Sequence, residues 1–135
     1  MKQRRGKVIL CGSASEEKIA REIISRVSSP ELVSLCGKTS LDTLALLLKT
    51  AQLLVSNDSG PIHLAASQGT RIVGLFGPTS AEQTGPVSDA PIKILQKDVG
   101  CRVPCYYRAC DYRVCMDLLS PEEVFLETQK ILELI

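Results

Sequence analysis

Between Asn57 and Gly69 the chain reads N-D-S-G-P-I-H-L-A-A-S-Q-G and contains its only histidine, His63. The apolar residues Leu53–Val55 stop just before it, so an acid, a hydroxyl, a glycine and a proline mark the junction of an expected strand and an expected helix. Backbone N–H groups at a helix start have no intrahelical partner, and the macrodipole puts partial positive charge there. Such a start binds phosphate and other anions. Asp58 or Ser59 can cap the helix. Gly60 admits a ligand close to the backbone, Pro61 suits the first turn, and His63 would stand beside a bound anion. The same residues equally describe an ordinary capped helix with a structural histidine, and spacing alone leaves both readings open. The junction holds one acid, Asp58, rather than a cluster of metal ligands.

Other phosphate signatures fail. G-K-T at Gly37–Thr39 hints at a P-loop, but the glycine required five positions before Gly37 is Leu32, and no G-x-G-x-x-G fingerprint occurs. Lys38 therefore reads either as a residue that steers a diphosphate or as a solvated surface lysine. A second chemical cluster lies at C-R-V-P-C-Y-Y-R-A-C-D-Y-R-V-C, where Cys101, Cys105, Cys110 and Cys115 alternate with three tyrosines and with Arg102, Arg108 and Arg113. Four neighbouring thiols fit a structural zinc or iron–sulfur site, two disulfides, or free thiols. The spacing is not that of paired C-x2-C knuckles, and it leaves the three open. Cys11 and Cys36 stand at expected strand ends and read as small core residues.

The elements that must carry these residues follow from periodicity. Lys7–Gly12, Glu31–Gly37, Gln52–Asp58, Thr70–Gly77 and Ile92–Gln96 read as strands. Ser13 and Glu16 stand at capping-box spacing, ahead of a helix with Ile19, Ala20, Ile23, Ile24 and Val27 on one face. A second helix presents Leu41, Leu44, Ala45, Leu48 and Ala51. A third starts at Ser59. Pro78–Pro91 reads as a loop and Cys101–Cys115 as irregular. A final helix occupies 120–135, with Ser120 as cap, Pro121 in the first turn, Glu123 as box partner, and a stripe of Val124, Phe125, Thr128, Ile131, Leu132 and Ile135. Alternating strands and helices predict an α/β fold with a Rossmann-like, mostly parallel sheet covered by helices on both faces. Ligands bind such sheets beyond the carboxyl ends of the strands, which points to Gly12–Ser15, Ser56–Pro61 and Gly77–Ser80. Gly12–Ser15 reads as a capped helix start, with approach to a base or ribose as the alternative.

The 135 residues suffice for one domain, expected over 1–135, and carry a net charge of +1. That balance gives no electrostatic footprint for nucleic acid. The basic start is followed by too short an apolar stretch for a signal peptide, expected at about 7–15 residues. No run approaches the roughly 20 residues of a membrane helix. The expected compartment is therefore the cytoplasm.

V-S-N-D-S-G-P-I-H-L-A-A-S-Q-G-T-R-I-V-G-L-F-G-P-T-S resembles the signature of glycosyltransferase family 9, the ADP-heptose:lipopolysaccharide heptosyltransferases. The matching positions are Asp58, Ser59, Gly60, Pro61, His63, Ala65, Ala66 and Gly69, then Phe76, Gly77, Pro78 and Thr79. C-G-K-T-S-L at Cys36–Leu41, T-G-P at Thr84–Pro86 and the cysteine segment ending in C-M are also similar to the family. The resemblance implies the C-terminal, donor-binding half of a GT-B enzyme, entered after that half's first strand and helix. It implies that Asp58, Ser59, Gly60 and His63 contact the diphosphate and sugar of an ADP-heptose-like donor, with Gly77, Pro78 and Thr79 in the facing loop. It implies no metal for transfer, a catalytic base and a lipopolysaccharide-core acceptor surface on the other half, and peripheral contact of the whole enzyme with the inner face of the bacterial inner membrane. Non-hydrolysing nucleotide-sugar epimerases share the architecture and a D-S-G turn, and a non-catalytic nucleotide- or metal-binding remnant is the third reading.

Overall fold

The computed structural model describes residues 6–107 and 109–134; the expectations placed on Arg108 and Ile135 lie outside them. The chain divides into two compact units, Met1–Leu44 and Ala45–Ile135, with the division inside one helix.

In the first unit, β1 (Val8–Leu10) and β2 (Leu32–Ser34) pair in parallel with Val8 opposite Leu32. Between them a 3-10 turn over Ala14–Glu16 leads into α1 (Glu17–Val27). The Glu16 carboxylate accepts from both the N–H and the hydroxyl of Ser13, each at 2.7 Å, and these bonds hold its pKa below the ordinary glutamate value. Ala20 is the buried residue of α1; Ile19, Ile23 and Val27 of the expected buried face are exposed, as are Val8 and Ile9. Cys36 is buried and Cys11 exposed, so only one of the two expected core cysteines is enclosed. Partial burial first, and Cys36 second, push the Cys11 thiol pKa up.

α2 (Leu41–Thr50) runs across the division, burying Leu48 and exposing Leu41. The second unit then builds β3 (Leu54–Asn57), α3 (Gly60–Ser67), β4 (Ile72–Phe76), α4 (Ala81–Thr84), β5 (Ile92–Gln96), α5 (Val114–Asp117) and α6 (Pro121–Glu133). Its sheet is parallel in the order β3-β4-β5. Among the described residues the expected parallel pairing is thus distributed over one two-stranded and one three-stranded sheet. α4 lies within the span expected to be loop, and α5 begins inside the segment expected to be irregular.

Central β4 explains the layers. Ile72, Val73 and Phe76 have no exposed surface, as expected of a parallel strand covered on both faces. Successive side chains alternate faces. Val73 packs with Leu95 and with Ile131 of α6, joined by Leu53, Leu75, Leu119 and Val124. On the opposite face a Cβ at Gly74 would come within 2.9 Å of the Cδ1 atoms of both Ile62 and Ile94. The missing side chain at Gly74 is what lets α3 sit against the strand, where Ile62, Ala65 and Ala66 are buried. α6 and α3 therefore cover opposite faces. Thr70, buried ahead of β4, donates its hydroxyl to the Leu48 carbonyl at 2.7 Å, which ties the end of α2 to the turn after α3.

The Ser120 hydroxyl accepts from the Glu123 N–H at 3.1 Å, capping α6 as expected. The Glu123 carboxylate goes instead to Lys97, at 2.8 and 2.7 Å. Phe125, assigned to the buried stripe, is exposed, whereas Ile131 is enclosed.

Candidate functional site

Parallel register decides which loops meet. Asn57 at the end of β3 stands opposite Leu75, and the Asp58 N–H continues the pairing to the Leu75 carbonyl at 3.2 Å. The turns that follow, Asp58–Ser59 and Gly77–Pro78, consequently leave the sheet at one edge. This is the carboxyl edge at which open α/β sheets take ligands.

The first turn starts α3. Ser59 occupies the cap position with extended backbone, but its side chain makes no capping bond. Its hydroxyl lies 3.3 Å from the Asn57 carbonyl, to which it donates, and 3.4 Å from the Ser56 hydroxyl. Asp58 does not cap either: its Oδ2 accepts from the Thr84 hydroxyl at 3.1 Å. In place of the capping roles foreseen for them, Ser59 bonds back to the strand end just before it and Asp58 bonds to α4. His63 Nε2 lies 3.8 Å from Asp58 Oδ1, with the imidazole half exposed and the carboxylate mostly covered. A Cβ at Gly60 would meet nothing within 4 Å, so the space beside this backbone is open.

The second turn is held from several directions. Gln96, at the end of β5, donates its Nε2 to the Thr79 carbonyl at 2.7 Å and to the Gly77 carbonyl at 3.2 Å. The Cys105 N–H donates to the Pro78 carbonyl at 2.7 Å. A Cβ at Gly77 would fall 2.6 Å from Met116 Sδ and 3.3 Å from Cys115 Sγ. Ser80 then caps α4 by accepting weakly from the Gln83 N–H at 3.4 Å. Thr84 closes α4 and shares its single hydroxyl proton between the Ser80 carbonyl at 2.9 Å and Asp58. Thr84 therefore ties the first turn to α4, the short helix that follows the second turn.

Of the residues singled out from sequence, Asp58, Ser59, Gly60, His63, Gly77, Pro78 and Thr79 all lie in the second unit on these linked turns. Lys38 and Gly12–Ser15 belong to the first unit. Lys38 is exposed there and makes a minor contribution to the lowered pKa of Glu17, after the dominant hydrogen bond from Arg21. Cys101, Cys105 and Cys110 border one open pocket with Arg102, Tyr106 and Tyr107. Cys115 packs near Gly77 instead, and all four thiols are free. Among the described residues no three His, Cys, Asp or Glu side chains gather in a group that could hold a metal ion. Thr84, Gln96 and Met116 were not foreseen as contributors. S-A-E-Q at Ser80–Gln83 is a capping-box pattern that signals α4, whereas Gln96 offers only a polar residue at the end of an apolar strand.

Comparison with known proteins agrees with this fold. The chain is 32% identical over 130 residues to lipooligosaccharide heptosyltransferase 2 of Campylobacter jejuni, a match spanning 93% of this chain and 40% of that protein. Its structure resembles that of the E. coli ADP-heptose lps heptosyltransferase II, with a TM-score of 0.77, 27% identity, and 93% of this chain against 36% of that one covered. The structure of the glycosyl transferase family 9 protein from Veillonella parvula gives a TM-score of 0.81 at 25% identity, covering 96% of this chain and 37% of that one. The parallel α/β arrangement is accordingly that of GT-B-type glycosyltransferases, and the chain spans about 40% of the length of the curated relative from C. jejuni. No helix among the described residues is long and apolar enough to cross a membrane. Residues 1–113, with both linked turns inside them, match the model of glycosyltransferase family 9 (heptosyltransferase), and the chain belongs to that family.

Proposed function

We propose that this chain is the donor-binding part of a heptosyltransferase, holding ADP-heptose or a similar nucleotide sugar for transfer to a lipopolysaccharide-core acceptor. The observation that carries the reading is the Thr84–Asp58 bond, which ties the D-S-G turn to α4, the helix that follows the G-P-T loop at the same edge of a parallel sheet. In sugar transfer the leaving nucleoside diphosphate gains negative charge as the glycosidic bond breaks. Oriented N–H donors and the positive end of α3 stabilise that charge without reorganising. Open space beside Gly60 leaves room for a phosphate close to the backbone, and His63 is exposed enough to donate to it. Asp58 would repel a phosphate; bonding a sugar hydroxyl while Thr84 holds its other oxygen suits it better. Transfer on this reading is a direct, inverting displacement at the anomeric carbon that needs no metal. The base and the acceptor surface would come from residues outside these 135, and the complete enzyme would meet its acceptor at the inner face of the inner membrane.

Calorimetric titration with ADP and ADP-heptose tests the reading. The folded chain should bind both. Gly60→Val combined with His63→Ala should weaken binding at least about tenfold, with the unfolding midpoint little changed because a side chain at Gly60 meets no neighbour. Failure of the folded chain to bind, or equal binding by the double variant, would count against it. Release of epimerised donor in the absence of acceptor would favour epimerase chemistry instead.

A further inference from the structure

We propose that Gln96 is a positioning residue that turns the acceptor oxygens of the Gly77–Thr79 loop away from a bound anion; this rests on the donor-binding reading above. Three consecutive carbonyls of that loop are engaged from outside it. Gly77 and Thr79 are held by the one Nε2 of Gln96, and Pro78 by the Cys105 N–H. Both partners of Gln96 are acceptors, so only its amide N–H2 end can face them. The direction matters because a backbone carbonyl presented to a diphosphate repels it. With all three carbonyls held by donors elsewhere, the loop can line an anion site without opposing the ligand.

Gln96 is half-buried at the end of β5, opposite Phe76 in register, so a regular strand delivers its amide to the loop. This assignment distinguishes chemistry from space filling. Gln96→Met keeps the length and loses both bonds. Gln96→Glu keeps the shape but sets a carboxylate against two carbonyl oxygens, and should be the more damaging change. A residue that merely fills the position would tolerate Glu about as well as Met.

The test uses the whole 135-residue chain, with ADP as the probe. Calorimetry should show ADP binding weakened about tenfold in Gln96→Met and further in Gln96→Glu. Amide hydrogen exchange should quicken selectively at Cys105, Gln83 and Thr84, whose N–H groups bond to Pro78 and Ser80, while Val73 and Leu75 in β4 remain protected. Unchanged ADP affinity in both variants, or an exchange increase spread evenly over β4 and the loop, would overturn the proposal. Should the wild-type chain bind no ADP, the donor reading fails on its own. The exchange data then decide the role of Gln96, and an undisturbed loop in Gln96→Met removes it. Should Gln96→Glu not fold, Gln96→Met supplies both readouts.

Discussion

At the scale of single residues, the site depends on a few atoms whose partners are far away in sequence. Thr84 Oγ1 reaches Asp58, and Gln96 Nε2 reaches two carbonyls of the preceding loop. Gly77 is a glycine for a steric reason: any side chain would strike Met116 and crowd Cys115. Gly77→Ala should therefore destabilise the second unit by about 1–3 kcal/mol through overpacking. Met116→Ala in the same chain should recover part of that loss, because removing the methionine side chain clears the contact. Urea denaturation of the two single variants and the double variant measures the coupling. Simple additivity would show that Gly77 is constrained by something other than Met116.

Elements place these residues through register and capping. β4 carries buried side chains on both faces, and α3 and α6 take one face each. α6 is also held to β5 by charge. Glu127 accepts from Lys130 at 2.6 Å and faces Lys93 of β5 at 3.7 Å. The Lys130 hydrogen bond chiefly, with the fields of Lys130 and Lys93, keeps the Glu127 carboxyl below the ordinary glutamate range. A depressed folded pKa adds stability that is present above the unfolded value of about 4.3 and is lost as pH falls through the folded value. The thermal midpoint of the wild type should therefore fall more steeply below about pH 4 than that of Glu127→Gln. The difference should be small and should shrink in salt, as for exposed ion pairs. Parallel pH profiles for the two proteins would show that Glu127 adds nothing.

For the whole molecule, the decisive fact is that the chain belongs to family 9 yet spans about 40% of the length of the C. jejuni relative. On the proposed reading, the chain binds the donor but lacks the group that deprotonates the acceptor. Incubated alone with ADP-heptose and a lipopolysaccharide-core acceptor, it should form no transferred product while still binding ADP. Mass spectrometry of the acceptor checks this. Transfer by the 135-residue chain alone would mean that a base lies within it.

What the sequence determined by itself was whatever depends on neighbouring residues. The strand–helix alternation follows from local apolar periodicity, and β5 is bounded by the same residues, Ile92–Gln96, in sequence and structure. The Ser120 cap and the apolar character of β4 are local properties of the same kind. The D-S-G-P-x-H wording was legible because it is contiguous. Tertiary structure alone decided what rests on distant partners. Asp58 turned from capping α3 to accepting from Thr84, Glu123 turned to Lys97, and Phe125 stayed exposed although it shares a helical stripe with enclosed Ile131. Helical periodicity says which residues share a face but not how wide a strip the neighbouring sheet covers. Likewise, no local signal tells a glutamine at a strand end that two carbonyls of another loop stand within reach; parallel pairing of β4 with β5 brings them there.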